Sequence, residues 1–318
     1  MVRVSSSVEV LMSEAKAPKP ALVDIGKEAV PAFAVAPDAA SLFATRAKRF
    51  RTLADGNPLA AYLAFLAGLA EAQHEIQADL PPAALPDEED IAQALDHGMP
   101  PLPAAGLALD DVAVRTVERL LERMAGLELP APAATARDAL LAADADRRRA
   151  VVADALTTAA PSSPEAIAER VLVLAGLAVH FARLASRLDM SRLKRIADGV
   201  CPACGSAPVT SSVVGWPRAH NTRFCTCSLC ATMWNVVRVK CVLCSATDGI
   251  SYRTIDGAPD TVKAECCDSC KRYVKVLYQV KDPALDAVAD DVATLGLDML
   301  LAGDGWQRGG ANPFLQGY

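Results

Sequence analysis

The stretch CSLCATMWNVVRVKCVLC, residues 227–244, places two CxxC pairs ten residues apart. Whether these four cysteines share one metal ion or belong to two sites decides how the last third of the chain folds. Shifting the sequence on itself by forty residues answers the question. Cys201 then falls on Cys241, Cys204 on Cys244, Cys227 on Cys267 and Cys230 on Cys270, and in both copies 22 residues separate the two pairs. The pattern is two tandem CxxC-x22-CxxC modules, close to the spacing of four-cysteine metal sites. The quoted stretch therefore spans a boundary: Cys227 and Cys230 close the first module, and Cys241 and Cys244 open the second. The linker ATMWNVVRVK has no Gly or Pro and reads as a strand. Ten extended residues at ~3.3 Å each hold the two pairs roughly 30 Å apart, too far for one ion. A tight hairpin, or crossed ligation as in interleaved zinc modules, is the alternative.

A CxxC turn aims two thiolates at one point, and two such knuckles complete a closed tetrahedron. In CPACGS, Pro202 stiffens the turn and Gly205 supplies the positive φ that ends it, whereas CSLCA, CVLCS and CDSCK lack that glycine. The expectation is two metal ions. Four thiolates suit zinc and also rubredoxin-type iron, so the donor set leaves the metal open. A divalent ion on four thiolates carries about −2. Residues 201–281 hold ten Lys and Arg against five Asp and Glu, an excess that offsets two such sites. Their basic character reads as charge compensation rather than a nucleic-acid footprint. Cys225 and Cys266 fall outside the repeat; each neighbours a ligand pair and could replace a ligand or act as a redox thiol, but the favoured reading is a small half-buried strand residue. His220 lies near a hairpin tip beside Trp216, and His74, His97 and His180 sit on helices as surface or packing residues.

All ten cysteines of the 318-residue chain lie between 201 and 270, and the net charge is −6 with a pI near 5.3. No signal-peptide pattern opens the sequence, and the most apolar stretch, AIAERVLVLAGLAVHFARLA (166–185), is broken by Glu169, Arg170, His180 and Arg183. These features argue against a secreted disulfide scaffold and against membrane insertion, and for a cytoplasmic protein with metal-ligating thiols. Residues 1–37 read as a flexible N-terminal arm. Residues 38–198 are Ala- and Leu-rich with repeated helix punctuation and predict an all-helical domain of six to eight helices, with Asp38 and Ser163 as caps and the acidic run in PDEED as a helix N-terminus. The modules span 199–240 and 241–281. Residues 282–318 predict one C-terminal helix and a tail that docks through Trp306, Phe314 and Tyr318. The fold class is thus α plus small β: an N-terminal all-α domain, two tandem rubredoxin-like or zinc-ribbon modules of short antiparallel strands, and a C-terminal helix. Modules of about forty residues have too little core of their own, so metal supplies much of their folding energy, and the helical domain is expected to fold without them. No dinucleotide fingerprint, Walker loop, HExxH or nucleophile motif is present, and nothing in the sequence demands an enzyme.

The knuckles and their flanks, CPACGSAPV, CSLCATMWNVVRVKC and KAECCDSCKRYVKVLYQVKDP, with the tail ANPFL, resemble the formate dehydrogenase accessory protein (FdhE) family. The resemblance is dense over 200–318 and extends in layout to the helical region. It includes Trp234, the Val-Arg-Val-Lys linker and the Tyr273-x-Lys275 segment; Cys225 and Cys266 depart from the pattern. It implies a cytoplasmic maturation factor required for active respiratory formate dehydrogenase. Such a factor binds the molybdenum- or tungsten-containing catalytic subunit before export by the twin-arginine route, and carries rubredoxin-type iron at Cys201, Cys204, Cys227, Cys230, Cys241, Cys244, Cys267 and Cys270.

Two other functions compete. A zinc-ribbon nucleic-acid binder draws on Arg218, Arg223, Trp216 and His220 of the first hairpin; a small electron-transfer or thiol-oxidoreductase protein draws on the cysteines. For the accessory role, the sequence offers Trp216 and Arg218 in the first module and Tyr252 and Arg253 in the second as partner-binding residues. The competing reading is that both aromatics simply cover the ribbon cores.

Overall fold

The computed structural model describes residues 31–156 and 163–316. Among the described residues eight α-helices precede the cysteine region: α1 (Ala39–Ala54), α2 (Ala60–Glu75), α3 (Glu88–Asp96), α4 (Ala104–Leu107), α5 (Asp111–Arg123), α6 (Ala131–Ala142), α7 (Ala145–Ala155) and α8 (Pro164–Ala185). Most of their ends obey the punctuation of the sequence; Asp38 precedes α1 as expected but its side chain makes no capping hydrogen bond to the helix amides. Gly56 follows α1 with φ +66°, Ser163 caps α8 by accepting a hydrogen bond from the Ala166 amide, and the acidic run opens α3. Helix α8 carries the apolar stretch and buries most of its surface, including Leu172, Leu177, Val179 and Phe181. At Gly176 it meets α5 so closely that a Cβ would lie 2.7 Å from the Val117 Cα, so a side chain there would force the two helices apart. None of the described helices is long and apolar enough to cross a membrane.

The cysteine region contributes strands β2 (Pro208–Val213), β3 (Arg223–Cys227) and β4 (Met233–Val236) from the first module, and β5 (Ile250–Arg253), β6 (Val262–Cys267) and β7 (Arg272–Leu277) from the second. Each module is antiparallel, as expected, but the two are not separate sheets. Parallel pairing of Ser211–Ser212 with Val276–Leu277 joins β2 to β7 and makes one sheet of order β1-β4-β3-β2-β7-β6-β5. Its outer strand β1 (Ala34–Val35) pairs with Trp234 and Met233, so the end of the expected flexible arm is ordered sheet; residues 1–30 lie outside the described residues. The linker expected to be one strand is extended only over Met233–Val236 and bends at 238–240.

The single C-terminal helix is also corrected, to α9 (Ala289–Ala293) and α10 (Leu295–Gly303). The break at Thr294 has a polar cause. The Lys275 ammonium of β7 donates to the Asp291 and Thr294 carbonyls, at 2.8 and 3.1 Å, and holds the end of α9 against the sheet. The tail docks as expected. Strand β8 (Gln307–Arg308) pairs with β7, the Ala311 amide donates to the Pro208 carbonyl, Trp306 is buried, and Phe314 meets Phe50 of α1 edge-on. Tyr318 lies outside the described residues.

One apolar core runs through both halves. Phe43, Leu63, Leu66, Leu121 and Phe181 of the helices share it with Cys201, Cys204, Cys227, Cys230 and Trp234 of the first module. Arg46 and Arg49 of α1 add ion pairs to Asp286 and Asp290 in the C-terminal region. The first module's four cysteines thus pack inside the core they share with the helices, so the two regions meet through a common apolar interior rather than as separate bodies.

Candidate metal centres

The four knuckles have one backbone design. After its second cysteine each turns through positive φ, at Gly205 (+82°), Ala231 (+58°), Ser245 (+65°) and Lys271 (+54°). The three knuckles that lack the glycine of CPACGS adopt the same left-handed turn as the one that has it. Gly205 is the position where the helical region closes in: a Cβ there would sit 3.2 Å from the Pro100 ring. The other three knuckles accept the conformational cost of a side chain in this region, which is ~1–2 kcal/mol each. Amides aim at the sulfurs. Leu229 and Cys230 donate to the Cys227 Sγ at 3.4 Å, and Leu243 donates to the Cys241 Sγ at the same distance.

Two groups of thiols result, uncrossed: Cys201, Cys204, Cys227 and Cys230, and Cys241, Cys244, Cys267 and Cys270, each with all four sulfurs within 4.8 Å of one another. Close pairs are 3.6 Å (Cys201–Cys230), 3.4 Å (Cys204–Cys227), 3.8 Å (Cys241–Cys270) and 3.6 Å (Cys244–Cys267). A tetrahedron with metal–sulfur bonds of ~2.3 Å has edges of roughly 3.8 Å, so the donor set and its spacing fit one four-thiolate ion per group. All ten cysteines are free of disulfides.

The surroundings differ. The first group is wholly buried. The amides of Leu102, in the loop before α4, and of Ala104, the first residue of α4, donate to the Ala203 and Cys204 carbonyls and pin one knuckle; the other faces Phe43, Gln73 and Ala175 across a narrow crevice. In the second group Cys241 and Cys267 are buried, Cys270 is half-buried and Cys244 is exposed. Burial raises the Cys201 and Cys227 thiols well above their ordinary range. Burial acts equally on Cys204, but there hydrogen bonds from the neighbouring thiols and Ser206 bring the thiol well below that range. In the second group burial pushes Cys241 up to about 12. At Cys267 burial pushes the same way, but the Ser269 and Cys270 amides and neighbouring thiols bring it down to about 7. Cys225 and Cys266 belong to neither group. Burial pushes them up to about 12 and about 11, and each packs in an apolar cluster, Cys225 in the main core and Cys266 against Tyr273, Leu297 and Trp306.

Sequence reasoning missed the polar joints behind the centres. Arg223 of β3 and Glu265 of β6 form a buried two-pronged pair at 2.8 and 2.9 Å across the module boundary. Arg223 also donates to the Arg238 and Lys240 carbonyls, which bends the linker just before Cys241. Asp198 accepts from Arg195, Lys240 and Ser245 and, through its carbonyl, from the Trp234 indole, tying the end of the helical region to both modules. A second buried cluster sets Lys275 and Arg308 against Asp291 and Asp298, with Tyr273 and Asn312 donating to those carboxylates. Its members include Tyr273, Lys275 and the asparagine of ANPFL, segments already distinctive in the sequence.

The partner-surface residues divide. Arg218 is exposed, and Trp216 is 37% exposed with its ring 5.2 Å from Phe224. Tyr252 is 41% exposed but donates to Glu265, and Arg253 pairs with Asp304 above the Trp306 ring. Arg223 is buried and paired, which removes it from any nucleic-acid surface. His180 is buried and its imidazole is pushed down to about 4, chiefly by burial; His74 borders an open cleft of about 760 Å³ with Arg183 and Arg187.

Family models match in three consecutive parts: FdhE N-terminal over residues 31–198, FdhE central domain over 200–238 and FdhE C-terminal domain over 239–315. A protein FdhE homolog of Rhizobium meliloti is 42% identical over 288 residues, covering 90% of this chain and 94% of its own. One from Stutzerimonas stutzeri is 34% identical over 276 residues, covering 86% and 89%. The crystal structure of the FdhE protein from Pseudomonas aeruginosa superposes with a TM-score of 0.80 at 31% identity, over 89% of this chain and 98% of that one. With two preformed four-thiol groups on this fold, the chain belongs to the FdhE family of formate dehydrogenase accessory proteins.

Proposed function

We propose that this protein is a cytoplasmic, non-enzymatic maturation factor that binds the catalytic subunit of formate dehydrogenase before export and carries one metal ion in each four-cysteine group. The observation that carries the reading is the pair of preformed four-thiol groups in a chain of this family. Cys201, Cys204, Cys227 and Cys230 would hold one ion and Cys241, Cys244, Cys267 and Cys270 the other. A bound ion supplies cross-linking and, if it is rubredoxin-type iron, a one-electron couple. The chain's own residues aim the thiolates with backbone amides and hold the two modules in register through Arg223 and Glu265. Of the surface candidates, Trp216 and Arg218 keep the freest side chains, of types enriched at binding hot spots. A nucleic-acid role has less to draw on once Arg223 is paired inside the sheet.

The test is complementation of cells lacking the protein, read by co-purification of the catalytic subunit and by formate-dependent dye reduction. The wild type restores both. A soluble variant with all eight ligand cysteines changed to Ser that also restores both would refute the role of the metal groups.

A further inference from the structure

The two groups come from one repeat and share one turn geometry, so their difference in surroundings is informative. Around the first, helices, the loop before α4 and the sheet close every side, and all four cysteines are buried. Reaching its sulfurs requires parting the core that α1, α2 and α8 share with the module. Around the second, only half of the cage is anchored. Gly309 lies under Leu243 and the Tyr273 carbonyl, where a Cβ would sit 2.0 Å from the Leu243 Cδ1, and Gly199 presses against the Val242 carbonyl. Those contacts hold Cys241 and its neighbours Val242 and Leu243 in place. The outer edge of the cage, where the second cysteine of that knuckle meets the start of the next, is open to solvent among the described residues: Cys244, Ser245, Asp268 and Ser269 are all exposed, with Ser245 held to Asp198 and the Asp268 amide to the Gly249 carbonyl.

From this asymmetry, and resting on the metal reading above, we infer that the second group is an exchange site: its ion is open to an incoming soft ligand, a thiolate or chelating nitrogen donor, while the first group keeps its ion for the life of the fold. Cys244 is the thiolate displaced. An incoming donor would take the place of Cys244 on the ion, and the freed thiolate would take a proton from water. Cys241 and Cys267, fixed in the sheet, keep the site's geometry during the exchange. The fold thus offers a metal to a partner's ligand at one centre without risking the other.

The test uses the full-length chain loaded with zinc under anaerobic conditions, challenged with the chromogenic chelator pyridylazoresorcinol, with iodoacetamide labelling mapped by mass spectrometry. One equivalent of zinc should leave at least about tenfold faster than the second, because release from the buried group must wait for core opening. Cys244 and Cys270 should label with the fast phase, and Cys201, Cys204, Cys227 and Cys230 only with the slow one. Cys244→Ser should abolish the fast equivalent while leaving one slow equivalent and unchanged helical circular dichroism. Release of both ions in a single phase, or labelling of the first group as early as Cys244, overturns the inference and leaves the metal reading standing. A chain that takes up no zinc overturns both.

Discussion

Between Cys201 and Cys230 the repeat unit is part of a helical core, whereas between Cys241 and Cys270 the same unit, with the same four-thiol geometry, stands at the surface. The contrast shows that the CxxC-x22-CxxC pattern specifies a cage and leaves its environment to what packs around it. In the first unit that environment is the loop before α4 and the faces of α1, α2 and α8; in the second it is the C-terminal tail. Losing a cysteine from the buried unit is therefore expected to damage the whole molecule, and losing one from the surface unit to be a local event.

The largest effect should come from breaking the first cage. A bound structural metal contributes an apparent ~10 kcal/mol or more, against a total domain stability of about 5–15 kcal/mol. Cys227→Ser is therefore expected to abolish the cooperative thermal transition seen by far-ultraviolet circular dichroism, helices included. The matched change Cys267→Ser should retain a cooperative helical transition; equal losses would erase the distinction between the two surroundings.

Next is the joint between the units. Arg223→Met leaves Glu265 buried without its cation, which costs about 3–5 kcal/mol. The denaturation midpoint should fall accordingly, and fall less in the double variant Arg223→Met with Glu265→Leu. A drop under 1 kcal/mol on the same urea curves would mean the pair does not couple the modules.

His180 lies on α8, on the helical side of the comparison. Its folded-state pKa is depressed from 6.5 to about 4, chiefly by burial. Below pH 6.5 the unfolded chain takes up a proton that the folded chain refuses, so stability is full above that pH and declines toward pH 4. The decline amounts to at most roughly 3 kcal/mol. His180→Gln should flatten it in urea titrations across this window; an unchanged slope would place the acid sensitivity elsewhere.

The smallest effects separate knuckles of one design. Ala231→Gly relieves a left-handed side chain and should stabilise by about 1 kcal/mol. Gly205→Ala adds both that strain and the Pro100 contact, and should destabilise by more than about 1 kcal/mol. Thermal melts giving the two changes the same sign would contradict the backbone reading.

The repeat made the cages legible because ligand spacing is a local property: identical offsets in both copies required identical turns. Helix ends were legible for the same reason, through Ser163, Gly56 and the acidic run before Ile91. The joints were not. Arg223 and Glu265 are 42 residues apart, and nothing in either local sequence distinguishes a buried arginine from a surface one. The linker bend and the break at Thr294 likewise depend on carbonyls captured by Arg223 and Lys275 from other strands. Parallel pairing of β2 with β7 has no periodic signature in strands this short, so the fusion of the modules into one sheet was beyond the pattern. Burial of the first group followed from α8 and α2, whose almost all-round apolar surfaces needed a second layer that only the fold reveals.

Whether each unit holds one ion is measured directly by the metal content of anaerobically purified protein, by elemental analysis alongside sulfur-shell X-ray absorption, in the wild type and in the Cys241→Ser, Cys244→Ser double variant. Two ions per chain, each with four sulfur neighbours, falling to one ion in a still helical variant, is the expected result. One ion per fully loaded wild-type chain, or loss of both ions from the helical variant, would contradict it.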